Sequence, residues 1–171
     1  MNDKANINSQ LEKDERKAFN GVDEWTGTKN ADEFYGGNGA DILNGAGQMD
    51  VINGGNGSDI IYGGTWADTI DGGNGDDWIS AGVGRDTLTG GRGADTFYFD
   101  AVKTSQNQVK TVTDFEVGKD LIDVSTFWDG YDESMISLND DGDVVITINP
   151  DDNDTVVLTG VDSVSASDFL F

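Results

Sequence analysis

Nine aspartates recur at intervals of nine residues between positions 23 and 95. They are Asp23, Asp32, Asp41, Asp50, Asp59, Asp68, Asp77, Asp86 and Asp95. Carboxylate oxygens are the ligands that hard cations such as Ca²⁺ and Mg²⁺ prefer. Paired carboxylates also catalyse glycoside hydrolysis, but no insertion that could form a cleft interrupts the repeats. The spacing therefore favours a repeated cation site over a catalytic centre.

The composition excludes several other functions. The 171 residues include 33 Asp plus Glu against 10 Lys plus Arg, a net charge of −23, and contain no His and no Cys. Zinc catalysis, Ser/His/Asp triads, disulfides and thiolate metal sites are therefore excluded. A chain this acidic repels nucleic acid. We also expect no membrane span, because no apolar run approaches ~18 residues, and no cleavable signal peptide in "MNDKANINSQ".

A second position of the repeat is large and apolar in every unit. Nine units begin at Ala18, Gly27, Gly36, Gly45, Gly54, Gly63, Gly72, Ala81 and Gly90. Their eighth residues are Trp25, Phe34, Leu43, Ile52, Ile61, Ile70, Ile79, Leu88 and Phe97. A fixed period with one conserved chemical type at two positions is typical of a solenoid.

The period also predicts the elements that position the aspartates. Residues seven to nine of each unit form a three-residue strand with its apolar side chain inward. Residues one to six form a turn, in which glycines supply positive φ or tolerate crowding. Two units complete one coil, so residues 18 apart stack. The predicted fold is all-β, a parallel β-roll with stacked strands about 4.8 Å apart.

Stacking places the aspartates in two columns, one from Asp41 to Asp95 and one from Asp32 to Asp86. Like charges roughly 5 Å apart repel by about 3 kcal/mol per pair at an effective dielectric of ~20. Several such pairs would exceed much of a domain's usual stability of ~5–15 kcal/mol. Each column therefore needs cations, and a flexible oxygen-lined loop suits Ca²⁺ better than octahedral Mg²⁺.

Four units, "GGNGADILN", "GGNGSDIIY", "GGNGDDWIS" and "GGRGADTFY", resemble the RTX (repeats-in-toxin) nonapeptide G-G-x-G-x-D-x-U-x. The resemblance implies a right-handed parallel β-roll with Ca²⁺ between its turns, about four to eight ions here. "GADTFYFDAV" and "TVTDFEVGKDLIDVS" are similar to C-terminal domains of serralysin-type metalloproteases and R-modules of mannuronan C5-epimerases. The final "ASDFLF" resembles the C-terminus that type I (ABC) exporters recognise.

The resembling units add turn residues to the nine aspartates as candidate calcium ligands. They are Gly36, Gly37, Asn38, Gly39, Gly54, Gly55, Asn56, Gly57, Gly72, Gly73, Asn74, Gly75, Gly90, Gly91, Arg92 and Gly93. The alternating units, "GTKNAD", "GAGQMD", "GGTWAD" and "AGVGRD", depart from the pattern. Gln48 and Trp66 adopt left-handed conformations less readily than glycine. Weaker sites at the Asp50/Asp68 step and filled sites on both edges remain alternatives.

The repeats divide the chain into three predicted segments: a flank over 1–17, the β-roll over 18–98 and a C-terminal cap over 99–171. Ser9 and Glu12 form a capping box, which predicts a helix from about Gln10 to Phe19 over the first coil. "FYF", "TVTDF", "DLIDV", "DVVITI" and "DTVVLTG" predict cap strands. Asp140, Asp141 and Gly142 predict a turn. Asp100, Asp114, Asp120 and Asp123 are candidates for a further ion, with a solvated loop as the alternative.

Together these observations predict a non-catalytic, secreted module that folds on binding extracellular Ca²⁺ and supports export and folding of a larger protein. Its parent would carry an N-terminal catalytic or adhesive domain. The alternative is an R-module-like domain that binds alginate or another polysaccharide. Candidate contacts are an outward apolar stripe of Ile42, Ile60, Tyr62 and Trp78 and the cations Arg85, Arg92, Lys103, Lys110 and Lys119. An ice-binding surface on the ladder of Asn38, Asn56 and Asn74 is a third reading.

Overall fold

The computed structural model describes residues 16–17, 20–100, 108–126, 130, 132–149 and 153–171. The strands are β1 (Arg16–Lys17), β2 (Glu24–Thr26), β3 (Glu33–Asn38), β4 (Ile42–Asn44), β5 (Val51–Asn56), β6 (Ile60–Thr65), β7 (Thr69–Asn74), β8 (Trp78–Val83), β9 (Thr87–Arg92), β10 (Thr96–Tyr98), β11 (Val109–Val112), β12 (Leu121–Asp123), β13 (Ile136–Leu138), β14 (Val144–Asn149), β15 (Asp154–Leu158) and β16 (Phe169–Leu170). The helices described are two single 3₁₀ turns, Glu133–Met135 and Ala166–Asp168. Among these residues, no helix has the length and apolar character to cross a membrane.

Alternate strands enter two facing sheets. One sheet has the order β1-β3-β5-β7-β9-β11-β15-β14-β13, and the other has the order β16-β12-β10-β8-β6-β4-β2. Neighbouring strands within the repeats are parallel, and each residue pairs with the residue 18 positions later, as in Ile52 opposite Ile70 and Ile61 opposite Ile79. The chain is thus an all-β parallel solenoid of about four turns. This confirms the fold and the pairing of two units per coil.

Several strands are longer than the three residues predicted. β3, β5, β7 and β9 each have six residues and include the Gly-Gly-Asn or Gly-Gly-Arg that opens the following unit. Gly55 pairs with Gly73 and Asn56 with Asn74, so the first residues of the predicted turn extend the sheet. In the regular units the sharp turn is therefore confined to residues four to six.

The core lies between the two sheets and consists of the eighth residues of the units. Phe34, Leu43, Ile52, Ile61, Ile70, Ile79, Leu88 and Phe97 are each 0–1% exposed, and Trp25 at the first coil is 8% exposed. One inward side chain per strand fills a narrow interior, so each unit contributes about 1.5–3 kcal/mol of apolar burial. The prediction that this position faces inward is confirmed.

The parallel coils continue beyond the last nonapeptide. β11 pairs in parallel with β9 and β15, and β12 pairs in parallel with β10 and β16. β13 and β14 then add an antiparallel edge, with the predicted turn at 140–142 between them. Each predicted cap strand overlaps an observed strand, although β11 includes only Thr111 and Val112 of "TVTDF". β13 and β16 were not predicted. The division into three segments stays a prediction, because residue 98 ends the repeats but not the stacking.

The N-terminal flank departs from the sequence prediction where the structure describes it. Arg16–Lys17 is a strand, paired in parallel with Phe34 and Tyr35, and not part of a helix. Since β3 has an open edge there, backbone pairing extends the sheet by one strand. The remainder of the predicted helix and its capping box, Ser9 and Glu12, lie outside the described residues.

Candidate metal centre

Backbone-to-carboxylate hydrogen bonds tie the nine aspartates into the two predicted columns. In each column, the backbone amide of one aspartate donates to Oδ1 of the aspartate 18 residues later, at 2.7–2.9 Å. The first column runs from Asp23 to Asp95 and the second from Asp32 to Asp86. One oxygen of each accepting carboxylate is therefore used by the adjacent coil.

The other oxygen has no hydrogen-bond partner in six of these carboxylates. The unpartnered atoms are Oδ2 of Asp41, Asp50, Asp59, Asp68, Asp77 and Asp95. Each of these residues is 0–1% exposed. A buried carboxylate oxygen that makes no hydrogen bond carries a large desolvation cost, and buried charges in proteins are normally paired or bound to a metal. These six atoms therefore mark positions where a cation would compensate a buried charge.

Beside five of the six unpartnered oxygens, all except that of Asp95, the Cβ position of the unit's first glycine lies close to both the carboxylate oxygen and a backbone carbonyl oxygen of the next coil. A side chain at Gly54 would place its Cβ 2.4 Å from Asp59 Oδ2 and 2.5 Å from the carbonyl oxygen of Gly72. At Gly72 the corresponding distances are 2.4 Å to Asp77 Oδ2 and 2.7 Å to the oxygen of Gly90. The first glycine of the repeat thus keeps open a space lined by a carboxylate and a carbonyl oxygen.

This donor set fits calcium. Within the described part of the chain, no three acidic side chains converge on one point, so a cation here would take backbone carbonyl oxygens as well as carboxylates. Calcium accepts mixed carboxylate and carbonyl ligation in flexible geometry, whereas magnesium demands a strict octahedron. The first-position glycines Gly36, Gly54, Gly72 and Gly90, together with their aspartates, would hold the ion.

The other glycines of the regular units shape the turns. Second-position glycines have φ of 94–104° at Gly37, Gly55, Gly73 and Gly91, and fourth-position glycines have φ of 125–142° at Gly39, Gly57, Gly75 and Gly93. A Cβ at Gly57 would also lie 1.7 Å from the carbonyl oxygen of Gly39. Only glycine permits both the left-handed backbone and this close approach of successive coils.

The third-position side chains bond to each other. Asn56 Nδ2 donates to Asn38 Oδ1 at 2.8 Å, and Asn74 Nδ2 donates to Asn56 Oδ1 at 2.9 Å. These side chains are exposed at the ends of β3, β5 and β7, and Arg92 takes the next position of the ladder at the end of β9, also exposed. The asparagine amides therefore bridge coils, and any part these residues take in binding calcium would fall to their backbone.

The irregular edge reproduces the carboxylate geometry despite its departures. Ala46, Gln48 and Trp66 adopt φ of 74°, 68° and 84°, the left-handed region that glycine occupies in regular units. Asp50 and Asp68 are buried with an unpartnered Oδ2, as in the first column. The irregular units thus accept backbone strain to keep the same arrangement, and the weaker calcium site at the Asp50/Asp68 step stays a prediction.

Burial perturbs the acidity of these groups. Desolvation raises the pKa of Asp68 and Asp77 to about 7, and the pKa of Asp41, Asp50 and Asp95 to about 6. Neighbouring carboxylates raise these values further, while the amide that donates to each carboxylate lowers them. Without a cation, the columns therefore resist full ionisation near neutral pH.

The ends of the second column differ from its middle. Asp32 Oδ2 accepts from the amide and the hydroxyl of Thr28 at 2.6 and 2.9 Å. Asp86 Oδ2 contacts the buried ammonium of Lys110 at 3.1 Å. Both carboxylates are predicted calcium ligands whose Oδ2 already has a protein partner. Sequence reasoning did not place Lys110 beside Asp86. The signal in the sequence is residue 104, which lies 18 residues after Asp86, where the next aspartate of this column would fall, and which is threonine.

The proposed further ion among cap aspartates is not supported by their contacts. Asp114 accepts from the amides of Gly90 and Gly91, and Asp120 accepts from those of Asp95 and Glu116. Asp123 accepts from the amide of Ser125. These carboxylates are spread along the cap and bond to backbone, and Asp120 extends the first column by one coil.

A parallel β-solenoid whose turns stack aspartates against glycine carbonyls defines a calcium-binding repeat domain. Comparison with known families agrees: residues 18–52, 35–70 and 67–97 match the RTX calcium-binding nonapeptide repeat (4 copies). Residues 18–97 thus carry RTX nonapeptide repeats, and such repeats bind calcium. Comparison with curated proteins found no match.

Two solved structures are similar to this chain. The AlgE6R3 subunit of the Azotobacter vinelandii mannuronan C5-epimerase is 27% identical, with 89% of this chain and 79% of that chain covered and a TM-score of 0.46. The extracellular lipase LipA from Serratia marcescens is 17% identical, with 98% of this chain covered and a TM-score of 0.38. This chain spans 41% of the length of that lipase.

Proposed function

We propose that this chain is a calcium-dependent folding module of a larger secreted protein, exported by a type I system and folded outside the cell. The observation that carries the proposal is the set of six buried aspartate Oδ2 atoms without a hydrogen-bond partner. A fold that concentrates unpaired carboxylates in this way needs a divalent cation, so calcium concentration controls whether it forms.

The free energy that calcium binding adds to the fold is large enough to switch the chain between unfolded and folded states. Extracellular calcium modules bind with Kd of about 10⁻⁴–10⁻³ M. At ~1 mM calcium and a Kd of ~0.1 mM, each site stabilises the fold by about 1.4 kcal/mol. Four such sites contribute about 6 kcal/mol, which is comparable to the whole stability of many domains. At submicromolar cytosolic calcium this contribution vanishes and the repulsion along the columns remains.

The C-terminus supports export before folding. Asp168 is fully buried and accepts hydrogen bonds from the amides of Gly118 and Ser165 and from the hydroxyl of Ser165. Phe169 is 5% exposed and pairs with Ile122 in the sheet. An exporter that reads Asp168 and Phe169 would meet these two side chains only in the unfolded chain, which is the state that low calcium favours.

Circular dichroism tests the folding switch. We expect weak strand signal in EGTA and a cooperative gain on adding calcium to millimolar concentration. Two controls separate coordination from charge screening: the same concentration of Mg²⁺, and NaCl at the same ionic strength. Equal strand signal with and without calcium would refute the switch, and an equal response to NaCl would refute coordination.

Secretion is tested separately in a bacterial host that carries a type I exporter. Deletion of residues 166–171 should retain the protein in the cell, whereas Asp76→Asn, which removes an exposed charge outside that terminus, should still be exported. Export of the truncated protein at the unmodified level would refute recognition through this terminus.

A second candidate function, polysaccharide binding, is favoured by an aromatic ladder on the outer face of β6, β8 and β10. Trp78 lies 5.4 Å from Tyr62 and 5.1 Å from Tyr98 between ring centroids, the latter pair being stacked. Ile42 and Ile60 extend this face and are 37% and 38% exposed. Sugar rings could lie on such a flat apolar stripe.

The cations named for this function are less favourable than the ladder. Lys110 is buried and Lys119 is paired with Glu116 at 2.7 Å, which leaves Arg85 and Arg92 exposed among the described candidates; Lys103 lies outside the described residues. Calorimetric titration of the calcium-loaded protein with alginate and with a neutral glucan tests the alternative. Binding that Trp78→Ala abolishes would support it, and no heat with either polymer would refute it.

A further inference from the structure

The second aspartate column ends on a lysine. In its middle, Oδ2 of Asp50 and Oδ2 of Asp68 have no hydrogen-bond partner. One coil further, Oδ2 of Asp86 lies 3.1 Å from Nζ of Lys110, and both side chains are almost completely buried, at 0% and 3% exposure. Asp86 is thus the point in this column where the protein itself supplies a positive charge.

The ammonium sits in a shell of oxygens. Lys110 Nζ donates to Asp86 Oδ2 at 3.1 Å, to the carbonyl oxygen of Gly84 at 3.1 Å and to Oε1 of Gln108 at 3.2 Å. Three acceptors saturate the three donors of an ammonium group. One carboxylate, one backbone carbonyl and one side-chain amide are also the kinds of oxygen that Ca²⁺ takes in proteins.

Secondary structure fixes this lysine in place. Lys110 lies in β11, which pairs with β9 on one side and with β15 on the other. Gln108 directly precedes the same strand and is anchored by two hydrogen bonds. Its backbone amide donates to Asp154 Oδ1 at 2.8 Å, and its side-chain Oε1 accepts from the backbone amide of Gly84 at 2.9 Å. The first coil beyond the nonapeptides therefore supplies Lys110 and Gln108, and the last unit of the second column supplies the other two oxygens.

The first column ends differently. The amide of Asp95 donates to Asp120 Oδ1 at 3.0 Å, and Asp120 Oδ2 accepts from the amide of Glu116 at 2.8 Å. Oδ2 of Asp95 still has no hydrogen-bond partner. One column thus reaches the cap with an uncompensated carboxylate oxygen, and the other reaches it already neutralised.

We propose that the ammonium of Lys110 takes the place of a calcium ion at the C-terminal end of the second column. The last coil on that edge is then closed without metal, and the chain binds one calcium fewer than its carboxylate columns would allow. Asp86 is a partner of Lys110 and not a calcium ligand. This inference rests on the proposed calcium binding of the remaining aspartates.

Counting bound ions tests the proposal, by native mass spectrometry and by calorimetry in saturating calcium. Lys110→Ala removes the cation and leaves room beside Asp86, so we expect one more calcium per chain than in the unsubstituted protein. Lys119→Met is the matched control, since it removes an exposed cation from the same cap and should leave the count unchanged. A folded Lys110→Ala protein with an unchanged count would overturn the proposal.

A second pair of variants covers the case in which Lys110→Ala does not fold. Asp86→Asn should leave the count unchanged, because Asp86 holds no calcium, whereas Asp68→Asn should lower it by one. Loss of an ion in Asp86→Asn would overturn the inference alone. Absence of calcium binding by the unsubstituted protein would instead overturn the proposed function.

Discussion

The carboxylate of Asp77 uses its two oxygens differently: Oδ1 accepts the backbone amide of Asp59 at 2.8 Å, while Oδ2 is buried without a hydrogen-bond partner. One oxygen therefore links successive coils and the other is left for a cation. The same division recurs in the other five aspartates whose Oδ2 has no hydrogen-bond partner, so a substitution at these positions can remove the charge and keep the link.

Asp77→Asn should have opposite effects with and without calcium. The asparagine oxygen can still accept the amide of Asp59, but the buried charge is gone, so strand signal in EGTA should rise. In ~1 mM calcium the lost site should lower the free energy of unfolding by about 1.4 kcal/mol. Urea denaturation under both conditions measures the two effects.

Asp76→Asn is the matched control for that variant. Asp76 is the exposed neighbour, and its Oδ1 accepts the amide of Ala94 at 2.8 Å, a bond that asparagine preserves. The control removes the same formal charge from the surface and should leave calcium stoichiometry unchanged. Identical calcium binding by the two variants would show that burial of Asp77 confers no special role on it.

Acid should stabilise the calcium-free fold. Burial raises the pKa of Asp68 and Asp77 from 3.8 to about 7. The folded chain therefore holds these protons more tightly than the unfolded chain, and the stability they contribute is complete below pH ~4 and lost as pH rises through ~7. Strand signal in EGTA should accordingly increase between pH 7.5 and pH 5.

In saturating calcium the effect of pH on stability should reverse, because protons compete with the metal for the same carboxylates. Calcium affinity should fall as pH is lowered from 7.5 to 5.5, and binding near pH 6.5 should release protons, measurable by calorimetry in buffers of different ionisation enthalpy. NaCl at pH 7.5 is the control, since it screens surface charge but not buried groups. Proton release of zero would contradict the raised pKa values.

Features that repeat were predictable from the sequence. The sixth and eighth positions of each unit predicted buried aspartates and an apolar core because every coil imposes the same environment on them, as at Asp59 and Ile61. Contacts made by residues beyond the nonapeptide repeats were not predictable. Lys110 reads as an ordinary surface cation, since its partners Asp86 and Gly84 lie 24 and 26 residues away and meet it only through strand pairing.

Trp66→Gly should stabilise the protein. Trp66 is 60% exposed and has a φ of 84°, at the position where regular units place glycine. A left-handed backbone costs an L-residue roughly 1–2 kcal/mol, which exceeds the entropic cost of the new glycine, about 0.5–1 kcal/mol. The hydrogen bond from the amide of residue 66 to the oxygen of Val83, 2.7 Å, does not involve the side chain.

Met49→Gly should instead destabilise the protein. Met49 is similarly exposed, at 59%, but is not among the described residues with positive φ. Glycine there relieves no strain, so the free energy of unfolding should fall by about 0.5–1 kcal/mol. Urea denaturation in saturating calcium compares the two; destabilisation by both would refute strain relief at residue 66.

Gly54→Ala should block a calcium site without requiring alanine to adopt a positive φ. Gly54 does not have positive φ, but its Cβ would lie 2.4 Å from Asp59 Oδ2 and 2.5 Å from the oxygen of Gly72, inside the space proposed for the ion. We expect one calcium fewer and an overpacking cost of about 1–3 kcal/mol. Gly47→Ala is the control, because the nearest atom to its Cβ is Thr65 Oγ1 at 3.4 Å, and it should keep the full calcium count. A folded Gly54→Ala protein that binds as many ions as Gly47→Ala would show that the cation does not occupy the space beside the first glycine.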